Sequence, residues 1–282
     1  MKGRPGTIPS AEIIHGLPGA GRNLKNVLCG SVVSIGMTRT VTLALLIPTV
    51  LTAQQGTITY TYSQQHGFEI PEDWRDNIPD SETSTLVLHF GPTESRMTLA
   101  PEAGEDGSQL SSRWRDRLQR LKTRSASRSD LEVVRDAWVS YSEGTAVETR
   151  EFFGRDFRVA GPPPIHSWRM TAEQAEHLGH MVMKATAEHD GAAIEAWFTP
   201  EIPVSGGPAS YGGLPGMILV LSLDGGRAQY FATEIALGEV DAGLIRAPEE
   251  GDEVSREEYE AIVEDKIDEL EQLYGRRGNG PG

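Results

Sequence analysis

From residue 56 onward the chain alternates. In GTITYTYSQQ (56–65), Ile58, Tyr60 and Tyr62 share one parity and Thr57, Thr59 and Thr61 the other. A two-residue period of β-branched and aromatic side chains predicts a half-buried strand. The signal recurs in STLVLHF (84–90) and SRMTLA (95–100), parted by Gly91-Pro92. It returns at 132–142, 145–153, 156–161, 165–170, 180–188, 192–199, 217–223 and 228–237. Gly-containing turns separate many of these runs, at Glu143-Gly144, His189-Asp190-Gly191 and Asp224-Gly225-Gly226. No strand–helix–strand rhythm appears, so the pattern predicts roughly nine or ten short antiparallel strands.

Helical periodicity is scarce. VSREEYEAIVEDKIDELEQLYG carries Tyr259, Ile262, Ile267, Leu270 and Leu273 broadly on one stripe. Ser255 and Glu258 form a Ser-x-x-Glu capping box, and Gly275 is a suitable stop, so a helix is predicted over 255–274. TAEQAEHL (171–178) reads as a single helical turn. Residues 101–131 lose strand character and concentrate Arg113, Arg115, Arg117, Arg120, Lys122, Arg124 and Arg128. Trp114, Leu118 and Leu121 are spaced for a short amphipathic helix there. This basic stretch reads as a mobile surface insertion or, more sharply, as a docking site for an acidic partner. The fold class expected is mainly β, a strongly curved antiparallel sheet (half-barrel or sandwich-like) with a C-terminal α-helix.

Charge narrows the partners. The 282 residues include 26 Lys and Arg against 41 Asp and Glu, a net charge of −15. That balance argues against nucleic acid and against anionic membrane surfaces. At 41–51 the chain reads VTLALLIPTVL, an apolar run too short to span a membrane. It follows Met37 and Arg39 and ends at Leu51-Thr52-Ala53. A basic start, an apolar core and a small residue at the cut predict a signal peptide over 37–53. Residues 1–36 then read as an extension upstream of a start at Met37. Residues 1–53 hold five of the basic residues and one of the acidic ones, leaving 21 against 40 from 54 onward. The single cysteine, Cys29, also lies before 54, so the mature chain has neither a disulfide nor a thiolate site. One β-rich domain is expected over 54–275, with no transmembrane helix, and 276–282 as a disordered tail.

Familiar catalytic signatures are absent: no phosphate loop, no dinucleotide fingerprint, no His-Glu-x-x-His and no nucleophile elbow. One cluster has metal-ligating chemistry. His177, His180, Met181, Met183 and His189 fall within thirteen residues, and imidazole with thioether suits copper. On a strand, however, Met181 and Met183 share a face and His180 points away, as core filler and surface histidines would. Trp197 and Phe198 end a strand just before PEIPVSGGPASYGGLPG (200–216), where nine of seventeen residues are Gly or Pro. A loop of this length in a compact domain is usually functional or disordered. With Tyr211, those two aromatics either line a pocket beside it or pack in the core.

The run from Lys184 to Leu221 resembles the GLPGLI family of envelope proteins. The resemblance is carried by Lys184-Ala185-Thr186, Ala196-Trp197-Phe198-Thr199, Ile202-Pro203, Gly207-Pro208 and Gly213-Leu214-Pro215-Gly216, in the family's order and spacing. The hexapeptide ends in Met217-Ile218 instead of Leu-Ile, a volume-conserving change. Val182 and Ala192 stand where relatives often carry Cys and Arg. A second GLPG at 16–19 lacks all of this context. The resemblance implies secretion beyond the inner membrane and a β-rich fold, and no established reaction. Such a curved sheet is similar to the half-barrels of lipoprotein-localisation carriers, whose concave face holds an apolar ligand.

The function expected is therefore that of a non-catalytic periplasmic or secreted protein without a cofactor. It would bind an apolar small molecule or an envelope protein near loop 200–216. The alternatives are copper handling by the His/Met cluster and a hydrolase with an unrecognised site.

Overall fold

A computed structural model describes residues 54–100, 111–189 and 191–275. The 1–36 extension, the 37–53 signal segment, the 276–282 tail and residues 101–110 of the basic insertion lie outside these residues. Twelve strands form one mixed sheet in the order β12-β6-β5-β4-β3-β2-β1-β11-β10-β9-β8-β7. They are β1 (Gly56–Gln65), β2 (Ser81–Phe90), β3 (Glu94–Leu99), β4 (Glu132–Ser140), β5 (Thr145–Phe152) and β6 (Arg155–Gly161), then β7 (Arg169–His177), β8 (His180–His189), β9 (Ala192–Thr199), β10 (Met217–Leu223), β11 (Ala228–Leu237) and β12 (Asp252–Ser255). All neighbours are antiparallel except β12 and β6. The sheet does not close into a barrel, because β12 and β7 end the order without pairing. The helices are α1 (Ser112–Ser125), the four-residue α2 (Arg128–Leu131) and α3 (Arg256–Gly275).

The predicted alternation on β1 is realised. Ile58 and Tyr60 are fully buried, and Thr57, Thr59 and Thr61 are half-exposed. Their inward face continues through Leu88 and Phe90 on β2, Met97 on β3, Ala137 on β4, and Tyr230 and Ala232 on β11. Segment 171–178 departs from its predicted helical turn. Residues 171–177 lie in β7, paired to β8, with two extra β7 residues accommodated between Met170 and Gln174, and Leu178 begins the turn to β8. Ladder hydrogen bonds to β8 here outweigh the helix propensity of Ala and Glu. Leu273, predicted on the buried stripe of α3, is 54% exposed, because the helix meets the core through Leu270 and Tyr274 on either side of it.

Loop 200–216 decides the shape of the sheet. The Gly206 carbonyl accepts from the Ile218 amide of β10 at 2.9 Å. The same glycine packs so closely on Tyr141, just beyond β4, that a Cβ would overlap the Tyr141 hydroxyl. In a flat sheet, β10 and β4 would stand five strand spacings apart, about 24 Å. One residue touches both, so the sheet must curl around it. Ile202, Val204, Ala209 and Leu214 enter the main core with Met217, Ile218 and Leu219. The concave side is thus filled by the chain's own loop. This corrects the expectation of a concave face open to an apolar ligand.

Two further cores complete the fold. Tyr259, Val263 and Leu270 of α3 pack on Phe152, Phe157 and Val159. Leu118 of α1 packs on Ile70 and Ile78, flanked by Trp74 and Trp114. The described part of the basic stretch, 111–131, is therefore a docked helix and not a mobile insertion. The α3 start is capped as predicted: the Glu258 amide donates to Ser255 Oγ at 3.2 Å, and the Ser255 amide to the Glu258 carboxylate at 2.8 Å.

Replacing Gly216 tests the filled concavity. A Cβ there would overlap the Thr199 carbonyl oxygen, a backbone atom that β9 holds in place. Gly216→Val should cost at least about 3 kcal/mol in urea unfolding, or leave no folded protein. A variant with the wild-type midpoint would contradict the packing.

Candidate functional site

The motif residues divide by burial. Phe198 and Ile202 are fully buried, Leu214 is 2% exposed, and Gly207, Pro208 and Gly216 are buried. Pro203, Gly213 and Pro215 are exposed. Trp197 lies on the opposite face of β9 from Phe198, half-buried, with the Lys184 ammonium 5.9 Å from its ring centroid. Tyr211 stacks on His166 at 5.2 Å, and Trp168 donates its indole N–H to the Gly212 carbonyl at 2.8 Å. Trp197, Phe198 and Tyr211 therefore share no pocket. Most of the motif makes the plug; its glycines admit close backbone approach, as at Gly212, where a Cβ would lie 2.7 Å from the Ser205 carbonyl oxygen.

The His/Met residues are dispersed. His177 and His180 pair across the β7–β8 turn. The His177 ring engages the Ala232 carbonyl at 2.8 Å, and the His180 ring the Glu201 carboxylate at 2.7 Å. Met181 is 48% exposed, while Met183 packs on the main core. His189 ends the same strand nine residues beyond His180, about 30 Å away. Among the described residues, no three His, Cys, Asp or Glu side chains are grouped to hold a metal ion.

A feature the sequence reading missed lies under the loop. Glu148 is fully buried on the inward face of β5, between Ala137 of β4 and Val159 of β6. Arg150, two residues on, binds Glu148 at 2.7 Å and also bridges to Glu132. Arg128 joins Glu132 at 2.6 Å to Glu260 of α3, and Arg256 reaches Glu148 at 3.4 Å. Three guanidiniums and three carboxylates thus tie β4, β5, α2 and α3 together. Burial pushes the Glu148 carboxyl up, but Arg150 and Arg256 outweigh it and hold it below the ordinary value of 4.5. Glu132 is likewise raised by burial and lowered further by Arg150 and Arg128. Both carboxylates stay ionised at neutral pH, so neither is a general acid. Glu148, with no exposed surface, is also closed to substrate. The cluster acts as a clamp, in which removal of one partner strands an uncompensated charge.

Above this clamp opens a cleft of about 390 Å³ between the β5–β6 turn and α3. Phe153 and Ile262 supply the accessible apolar surface of its wall, with Phe152 and Phe157, each 2% exposed, behind them. Arg155, Asp265, Lys266 and Glu269 form its polar edge. Tyr259 meets Phe157 edge-on at 5.4 Å from behind, with the Arg150 guanidinium 5.6 Å from its ring, so the clamp also braces the wall. Phe153 occupies the first position of a two-residue turn with φ +51°, followed by Gly154 at +77°. Such turns favour Asn or Asp there. A phenylalanine in this conformation costs on the order of 1–2 kcal/mol. It is nevertheless 40% exposed, with the Lys266 ammonium 4.7 Å from its ring centroid.

The clamp has a pH signature. Because the folded-state carboxyls of Glu132 and Glu148 lie below 4.5, their contribution is complete above the unfolded value and fades as pH falls through the folded ones. Glu148→Gln should destabilise the protein by about 3–5 kcal/mol at neutral pH and flatten the loss of stability below pH 4.5. An unchanged acid limb in urea titrations would contradict the clamp.

Against known proteins, a family model described as a protein of unknown function (Porph_ging) matches residues 165–220, the segment that holds the motifs and the plug. No curated protein matches. Among solved structures, PNGF-II in its P21 crystal form is similar at a TM-score of 0.47 and 15% identity, covering 76% of this chain and 34% of that one. The C2 form gives 0.48 and 14%, covering 76% and 33%. The chain spans about a third of the length of these structures.

Proposed function

We propose that this chain is a non-catalytic secreted or envelope protein that binds an apolar or amphipathic small molecule in the cleft between the β5–β6 turn and α3. The cleft carries the proposal: its 390 Å³ falls in the range of ligand pockets, and the exposed Phe153 beside a charged edge suits an apolar body with a polar head. The binding place thus moves from loop 200–216 to the far side of the clamp, since the loop's apolar residues are spent on the core. The signal-like segment 37–53 supports export. The spaced motifs over 184–221 support membership of the GLPGLI family, and they overlap the matched segment 165–220. A hydrolytic reading gains nothing from Glu132 and Glu148, both ionised by arginines and one of them inaccessible.

The matched pair Phe153→Asn and Leu178→Asn tests this reading. Leu178 begins a second turn of the same kind, φ +51° before Gly179, and is 43% exposed, but it lies outside the cleft lining. Both substitutions should relieve strain and raise stability by up to about 1 kcal/mol. Titration with 1-anilinonaphthalene-8-sulfonate, an apolar body with one anionic group, should saturate at one site on the wild type. Leu178→Asn should bind equally, and Phe153→Asn about tenfold more weakly or worse. No saturable binding, or equal binding by all three, would overturn the proposal.

A further inference from the structure

Two helix faces outside the cleft carry opposite charge. On α1, Arg113, Arg120 and Arg124 are exposed at spacing i, i+7, i+11, which returns each to within about 40° of one line along the helix. The row is about 16 Å long. None of the three makes an ion pair among the described residues, although the chain as a whole is strongly acidic. Arg117, on the same line, lies instead over the Trp114 and Trp74 rings at 4.6 and 5.0 Å.

On α3, Glu257, Glu264, Asp268 and Glu271 are exposed at i, i+7, i+11, i+14, a row within about 60° and some 21 Å long. These four also make no ion pair among the described residues. They lie on a different side of α3 from Ile262, Asp265, Lys266 and Glu269, which line the cleft. The first three positions repeat the spacing of the arginine row.

The two helices touch within the chain, and Ala126, just beyond α1, packs in the same core as Tyr259 and Val263 of α3. A basic row and an acidic row of equal spacing, on helices that touch, give one copy both signs to offer to a second. That is the requirement of a two-fold interface, in which each surface meets its counterpart twice.

We propose that α1 and α3 form a homodimer interface, with the arginine row of one copy on the acidic row of the other and the reverse contact across the two-fold axis. The occupant is a second copy because one copy supplies both signs at equal spacing. A larger polyanion would meet the arginines but be repelled by the chain's net charge of −15. Individual exposed ion pairs contribute little, so the association is modest and salt-sensitive.

The test uses the full-length chain and, beside it, the chain from residue 54, in sedimentation equilibrium. Wild type should show a dimer whose dissociation constant weakens at least about tenfold between about 0.05 and 0.5 M salt. The triple variant R113E/R120E/R124E should be monomeric, and so should E264K/D268K/E271K. Both rows are exposed, so each variant should keep the wild-type circular dichroism spectrum and melting temperature. Mixed in equal amounts, the two variants should recover the dimer, because each row then faces its opposite. A monomeric wild type at low salt would overturn the proposal, as would a dimer unaffected by the swaps or a mixture that stays monomeric. Retention of a monomeric wild type on heparin through the arginine row would assign that face to a polyanion instead.

Discussion

The close approach of bare backbone inside the sheet is the constraint on which the rest depends. Gly206 touches both Tyr141 and the Ile218 amide, Gly207 has Ile218 at its back, and Gly216 lies on the Thr199 carbonyl. Any side chain at these points would hold the loop away from the strands. Only with glycine there can residues 202–214 enter the concavity and replace a bound ligand as its filling. The exposed prolines, Pro203 and Pro215, fix the loop's path from outside without needing donors. A filled concavity is in turn what leaves the sheet open-edged yet strongly curved.

With that side closed, the inward faces of β4 and β5 meet the plug and α3 where the apolar filling ends. The chain completes the join with ions. A six-member cluster built on the buried Glu148, Glu132 and Arg150 adds little net stability, since desolvation offsets much of the attraction. What it supplies is position: Arg150 and Arg256 fix α3 against β5, and Tyr259 then backs Phe157. The cleft exists because α3 is held there. Clamp, cleft and helix pair follow in order from the plug.

Much of this architecture was legible in the sequence. The β1 alternation, the Gly-centred hairpins and the Ser255–Glu258 box specify local structure through local chemistry, and they form as written. The helix over 112–125 followed from Trp114, Leu118 and Leu121. Other features were hidden for physical reasons. In TAVETREF, Glu148 and Arg150 alternate with Val147 and Thr149, and the ordinary reading sends charges to solvent. They turn inward because Arg128, Arg256 and Glu260 arrive from distant parts of the chain. Nothing in one strand reports that. The Gly/Pro density of 200–216 spoke for irregular backbone but not for burial, since close packing and mobility both favour glycine. Phe153 left one trace, an aromatic in a turn position that favours Asn, and the cleft beside it depends on where α3 docks. The pairing of β12 with β6 is parallel and non-local, and a four-residue strand gives no periodic signal.

The central claim is that loop 200–216 is core and not a binding loop. Native-state hydrogen exchange at the Met217, Ile218 and Gly213 amides tests it most directly. These donate to Ile202, Gly206 and Ser205, all within or across the plug. If the plug is core, the three amides exchange only through global unfolding, at the same free energy as the buried amides of β1 and with the same denaturant dependence. Exchange through a low-energy local opening, with β1 still protected, would show a loop that lifts out of the sheet, and the account would fail.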